Sequence, residues 1–197
     1  MSTDKTLPQL DPKTSALVLI DLQKGITSFP SQPLTAQEVI TNAQKLLNIF
    51  RKKNALVVLV HVTSSPDGKD MLHPTADEPM MRGGERPKDW ADFVPEVAPL
   101  EGDIIITKRQ WGAFYGTELD MQLRRRGIKT IVLGGIATNI GVESTARDAF
   151  ERGYDLIFVE DAMSSMSKGD HEFALSRIFP RIGRIRTAKV IGNALGK

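Results

Sequence analysis

Strand-like and helix-like apolar patterns alternate along almost the whole of this chain. Short runs of branched apolar residues indicate buried strands, and apolar residues at helical spacing fill the stretches between them. Strands are predicted over residues 15–21, 55–62, 103–107, 130–133, 155–159 and 184–187. Helices are predicted over residues 35–50, 117–127, 139–152 and 171–179, with the last one ended by Pro180.

This alternation favours a mostly parallel sheet that is covered by helices on both faces. A chain of 197 residues is long enough for one well-buried domain, and no linker or repeat divides it. The sequence therefore predicts a single three-layer α/β/α domain over residues 1–197. Its centre is expected to be a six-stranded, Rossmann-like sheet.

Composition excludes several classes of function. The net charge of +2 is too small to indicate a nucleic-acid surface, and the basic clusters at 51–53 and 124–126 fall at the ends of predicted helices. The apolar runs are of strand length, far below a membrane span. A polar amino terminus and the absence of Cys predict a cytoplasmic protein with no membrane partner.

One long stretch, residues 63–102, has no clear strand or helix pattern and carries six Pro residues. Irregular segments of this length are uncommon in compact domains, and they usually have a function or a partner. We interpret this segment either as a lid over a binding site or as a contact between subunits.

Polar or glycine-rich positions follow three predicted strands directly. Asp21 ends the first strand, Lys108 ends the third, and a glycine-rich turn that contains Gly141 follows the fourth. Taken singly, Asp21 is explained as a turn cap and Lys108 as a side chain reaching the surface. Because ligand sites of parallel sheets form at the carboxyl ends of strands, the three positions together predict a site.

The glycine-rich turn has a specific sequence. Residues 134–146 read GGIATNIGVESTA, which resembles the nucleophile turn of the isochorismatase-like (cysteine) hydrolase superfamily. Gly141 stands where most members of that superfamily carry the catalytic Cys. The chain contains no Cys, so thiolate chemistry is excluded. Together with residues 108–117, KRQWGAFYGT, the turn resembles a bacterial subgroup that lacks the Cys.

The resemblance implies a set of site residues. Asp21, Lys108 and Gly141 match the family's catalytic positions, and the family has a cis peptide where this chain has Ile136–Ala137. The substrate is expected to contact Gln23, Arg109, Trp111, Ile136, Ala137, Thr138 and Asn139. No cofactor is expected and no metal, because the family's Asp-x-His metal pattern is absent after the second strand. A homodimer or homotetramer is the expected assembly.

Two functions follow from this interpretation. The first is a hydrolase that acts by non-covalent acid–base chemistry at Asp21 and Lys108 on a small carboxylate-bearing substrate, as in the vinyl-ether hydrolysis of isochorismatases. The second is a catalytically silent protein that binds a small molecule or an anion in the same pocket. Retention of both Asp21 and Lys108 favours the first, since a silent site has no chemical need for the pair.

Overall fold

The computed structural model describes residues 6–78 and 86–195. Within these ranges six strands form one sheet, and every pairing in it is parallel. The strands are β1 Ser15–Ile20, β2 Leu56–Val62, β3 Ile104–Lys108, β4 Thr130–Ile136, β5 Asp155–Ser164 and β6 Arg184–Arg186. The helices are α1 Lys24–Thr27, α2 Ala36–Lys52, α3 Leu119–Arg125, α4 Glu143–Glu151, α5 Lys168–Phe173, α6 Phe179–Ile182 and α7 Ala188–Leu195.

Helices cover both faces of the sheet, so the predicted three-layer α/β/α domain is confirmed. One apolar cluster packs α2 and α7 against one face, and a second packs α3, α4 and α6 against the other. Helix α2 opens with a capping box, in which Thr35 and Glu38 exchange side-chain and backbone hydrogen bonds. None of the described helices is long and apolar enough to cross a membrane.

The strand order β3-β2-β1-β4-β5-β6 determines where the sheet offers a crevice for a ligand. The chain builds outward from β1 to β3 on one side, and then crosses to β4 on the other side of β1. The carboxyl ends of β1 and β4 therefore flank the point where the winding reverses. Ligands of doubly wound sheets bind in the crevice at this point.

The prediction that β4 ends at residue 133 is wrong, because Gly134 and Gly135 belong to the strand. A Cβ atom at Gly135 would lie 2.1 Å from the carbonyl oxygen of Ile20, and one at Gly134 would lie 2.8 Å from that of Ala162. In sequence the two glycines indicated a turn. In the structure they lie within the strand, where the lack of a side chain lets the neighbouring strands approach closely. The prediction that β5 ends at residue 159 is also wrong, since the strand runs to Ser164.

Three helix boundaries also differ from the prediction. Helix α3 begins at Leu119, two residues after Thr117, with Glu118 at the N-cap position. The Thr117 hydroxyl accepts the N–H of Leu119 (3.2 Å) and donates to the carbonyl of Ala113. The last predicted helix begins earlier, at Lys168, and continues through a π-helical turn into α6. Pro180 lies in the first turn of α6 and does not end a helix, because the N–H that proline lacks has no partner there. Helix α7 was not predicted.

Residues 86–94, here named the strap, lie across the carboxyl ends of β1 and β2. The N–H of Gly25 donates to the carbonyl of Trp90 (2.9 Å), and the N–H of Lys24 donates to that of Asp92 (2.8 Å). His61 reaches the carbonyl of Ala91 through Nδ1 (2.9 Å). This part of the 63–102 segment is therefore fixed to the sheet edge, while its residues 79–85 lie outside the described residues.

We expect Gly25→Ala to lower the free energy of unfolding by about 1–3 kcal/mol, as overpacking of a filled space does. An added Cβ would lie 2.1 Å from Nε1 of the Trp90 indole, so the strap would have to move. Urea unfolding measures the change. The matched control is Gly169→Ala in α5, where the nearest atom to a new Cβ lies 3.6 Å away. Equal stability of the two variants would show that the strap yields to a methyl group.

Candidate functional site

Asp21 is the first residue after β1, and it has a backbone conformation that few side chains adopt. Its φ angle is 53°, in the left-handed region where Asp and Asn are enriched. Its N–H donates to the carbonyl of Val60 in β2 (2.9 Å). This turn of the backbone leaves the carboxyl group buried, with the residue 5% exposed.

Lys108 ends β3 and reaches the same point from the edge of the sheet. Its ammonium Nζ donates to Oδ2 of Asp21 (2.7 Å) and to the carbonyl of Gln110 (3.1 Å). The side chain is 2% exposed, and the pair bridges β1 and β3 across the intervening β2. The sequence-based prediction that these two residues come together agrees with the geometry.

Burial and the neighbouring Lys108 act in opposite directions on the pKa of the Asp21 carboxyl group. Burial raises its pKa to about 6, against the opposing attraction of the Lys108 ammonium. Within the described residues its second oxygen, Oδ1, has no hydrogen-bond partner. A buried oxygen without a partner is costly, and a proton or a ligand would relieve that cost. Asp21 is therefore placed to exchange a proton with a bound molecule.

Gly141 brings the third predicted position to the same place. A Cβ atom there would lie 3.2 Å from Oδ2 of Asp21 and 2.9 Å from Cγ2 of Ile20. The backbone of Gly141 therefore packs directly against the acid–cation pair. It lies within a π-helical turn, Thr138–Val142, that leads into α4.

Backbone N–H groups at the start of this helical segment face no partner within the helix. The Ile136–Ala137 peptide bond is cis, and the carbonyl of Ala137 accepts the N–H groups of Ile140 and Val142 (both 3.2 Å). The first N–H groups of a helix have no partner within it, and they favour anions. Thr138 and Asn139 supply two such N–H groups beside Gly141.

The side chains of Thr138 and Asn139 are held by a segment that sequence reasoning missed. Oγ1 of Thr138 lies 2.9 Å from Nδ1 of His171, and Oδ1 of Asn139 accepts the Ser165 hydroxyl. Ser165 and His171 both come after β5, 26 and 33 residues from their partners, so no local spacing in the sequence indicates these contacts. Because the Thr138 side chain is also fully buried, a ligand would contact Thr138 through its backbone.

Loop 109–117 covers the Gly141 turn and is itself firmly held. The amide of Gln110 donates to the carbonyls of Gly112 (3.0 Å) and Tyr115 (2.6 Å). The hydroxyl of Thr145 accepts the N–H of Ala113 (3.1 Å) and donates to the carbonyl of Gly141 (2.7 Å). These bonds fix the loop over the site.

The other residues predicted to contact substrate are placed differently. The amide of Gln23 is fully buried and bonds the backbone of Val62 and Trp90, so it joins the strap to β2. Nε of Arg109 is paired with Asp70 (2.6 Å) at the rim. Trp111 is 47% exposed. A ligand contact for Gln23, Arg109 and Trp111 stays a prediction.

No group of three His, Asp or Glu side chains that could hold a metal ion occurs within residues 6–78 and 86–195. What the site does contain is a buried acid, a buried cation and a helix start. Fold and site together define a doubly wound α/β protein with an acid–cation pair at its switch point.

Comparison with known proteins gives the family. An isochorismatase domain model matches residues 15–190. The chain is 56% identical to the isochorismatase family protein YwoC of Bacillus subtilis over 91% of this chain and 93% of that one. It is 49% identical to YecD of Escherichia coli O157:H7 over 95% and 99% of the two chains. The chain belongs to the isochorismatase family.

A solved structure agrees with this assignment. An isochorismatase family protein from Burkholderia thailandensis has 45% sequence identity and a TM-score of 0.92, with 98% of this chain and all of that one covered. The fold is therefore that of the isochorismatase-family hydrolases.

Proposed function

We propose that this protein is a thiol-free hydrolase that acts by acid–base chemistry on a small carboxylate-bearing vinyl ether, with isochorismate as the first candidate. One observation carries the proposal: the buried Asp21–Lys108 contact of 2.7 Å, in which Oδ1 of Asp21 has no partner among the described residues. A carboxyl group that is buried in this way holds a proton at higher pH than usual and can act as an acid.

The proposed reaction needs no nucleophile from the protein. Asp21 transfers its proton to the methylene carbon of the enol ether, and the adjacent carbon becomes an oxocarbenium ion. Water adds to that carbon and returns a proton to Asp21. The resulting hemiketal then breaks its bond to the ether oxygen, and its hydroxyl proton passes to that oxygen, which releases pyruvate and the alcohol.

Lys108 and the helix start serve the substrate carboxylate in this proposal. Two of the three ammonium hydrogens of Lys108 bond Asp21 and the carbonyl of Gln110, which leaves one for the substrate. The N–H groups of Thr138 and Asn139 add donors that favour an anion. The carboxylate would thus lie between β3 and the helix start, with the vinyl group beside Asp21.

A catalytically silent binding protein is the second candidate. The replacement of the family's Cys by Gly141 favours it, since covalent chemistry is lost while the helix start is kept. A coupled lactate dehydrogenase assay for pyruvate release from isochorismate separates the two. Release supports the hydrolase, whereas binding of isochorismate without release supports the silent protein.

The same assay tests the pH dependence. Only protonated Asp21 can donate, and its pKa is raised to about 6. We expect kcat/KM for pyruvate release to be level below that pH and to fall as pH rises, approaching tenfold per unit. The profile of the coupling enzyme with added pyruvate is the control. A rate that increases with pH through 6 would contradict the role of Asp21 as an acid.

A further inference from the structure

We infer that His171 is a positioning residue of this site. By holding the Thr138 hydroxyl, it directs the first N–H groups of the π-helical turn Thr138–Val142 toward a bound carboxylate. The inference rests on the proposed function in one respect, that the site binds a carboxylate. His171 does not touch the acid–cation pair in this account, and it acts only through Thr138.

The contact between the two side chains is almost completely sealed from solvent. Thr138 is fully buried and His171 is 3% exposed, with 2.9 Å between Oγ1 and Nδ1. Burial lowers the pKa of His171, which favours the neutral ring at neutral pH. A neutral ring and a hydroxyl can satisfy each other in either tautomer.

The position of Thr138 gives this contact its consequence. Thr138 is the first residue of the π-helical turn that contains Gly141, and it directly follows the Ile136–Ala137 bond. A side-chain bond at the first residue restrains rotation of the backbone there. The N–H groups of Thr138 and Asn139 therefore keep one direction relative to Asp21.

The support beneath His171 is itself well fixed. Helix α5 is capped by Ser167, whose side chain accepts the N–H of Asp170 (3.4 Å). Two residues earlier, Ser165 exchanges backbone hydrogen bonds with Gln32 (2.7 and 2.9 Å) and donates its hydroxyl to Asn139. One segment, residues 165–171, thus holds two successive residues of the helix start. This double attachment is what a rigid anion site requires.

The experiment measures both binding and turnover. Pyruvate, the product of the proposed reaction, is titrated into ¹⁵N-labelled protein while the amide signals of Thr138 and Asn139 are followed. His171→Leu and Thr138→Val remove the contact, whereas His171→Asn and Thr138→Ser keep a hydrogen-bonding group at the same point. We expect the first two to weaken pyruvate binding and raise KM for isochorismate about tenfold, with kcat changed much less. The second two should stay within about threefold of wild type.

Each outcome decides the inference. Equal impairment in His171→Asn and His171→Leu would overturn it, and so would the absence of pyruvate-induced shifts at both amides in the wild type. Thr138→Val preserves the shape of the side chain, so it provides the same test if His171→Leu does not fold. Pyruvate binding that depends on His171 without turnover of isochorismate would contradict the proposed function and leave this inference standing.

Discussion

Replacement of Asp21 by Asn is expected to reduce pyruvate release from isochorismate by about 10²–10⁴-fold, the range typical for loss of a general acid. The amide can accept the hydrogen bond of the Lys108 ammonium, but it has no acidic proton to transfer. Binding of isochorismate should persist, because the helix start and Lys108 are unchanged. Steady-state kinetics and calorimetric binding measure the two quantities separately.

The matched control for this variant is Asp155→Asn. Asp155 is an exposed acid at the amino end of β5, at the opposite edge of the sheet from the site. It undergoes the same chemical change without touching the site, so its activity should match wild type. Retention of wild-type kcat in Asp21→Asn would exclude Asp21 as the acid.

Replacement of Lys108 by Met is expected to lower the free energy of unfolding by about 3–5 kcal/mol at pH 8, because it leaves the buried Asp21 carboxylate without its cation. The pKa of Asp21 is already raised to about 6 with Lys108 in place, and loss of the cation raises it further. The folded variant therefore binds a proton more readily than the unfolded chain. The free energy of unfolding of Lys108→Met is therefore highest at low pH, where Asp21 is protonated, and it falls as pH rises through the raised pKa of Asp21.

Urea unfolding at pH 5 and at pH 8 tests this expectation, with a second substitution as the internal check. Asp21→Leu in the Lys108→Met background removes the uncompensated charge and should restore much of the lost stability. Lys129→Met, at an exposed position, should change the free energy of unfolding by less than about 0.5 kcal/mol. A loss in Lys108→Met that is independent of pH would mean that Asp21 is not the group left unpaired.

The sheet was predictable because its signal is local. All six strands overlap the predicted ranges. The signal is clearest in the four central strands β1, β2, β4 and β5, whose long buried runs exclude polar residues. The boundaries that failed depend on distant neighbours. Gly134 and Gly135 look like a turn in sequence, and only the close approach of Ile20 and Ala162 explains their place in β4.

The site was predictable to the same extent. Asp21, Lys108 and Gly141 could be expected to meet, because each follows a strand of one parallel sheet. The role of His171 could not, since it is 33 residues from Thr138 and its contact depends on how α5 packs. The bonding of Gln23 to the strap was hidden for a similar reason, as Trp90 is 67 residues away.

The packing around Gly141 limits which residues can occupy position 141. Gly141→Cys would bring a Cβ to within 2.9 Å of Cγ2 of Ile20, a methyl group in the buried core. Exchange of Ile20 for Val would keep that methyl group, whereas exchange for Ala would remove it and open a hole in the core. A side chain at position 141 therefore requires Ile20 to move or to change as well.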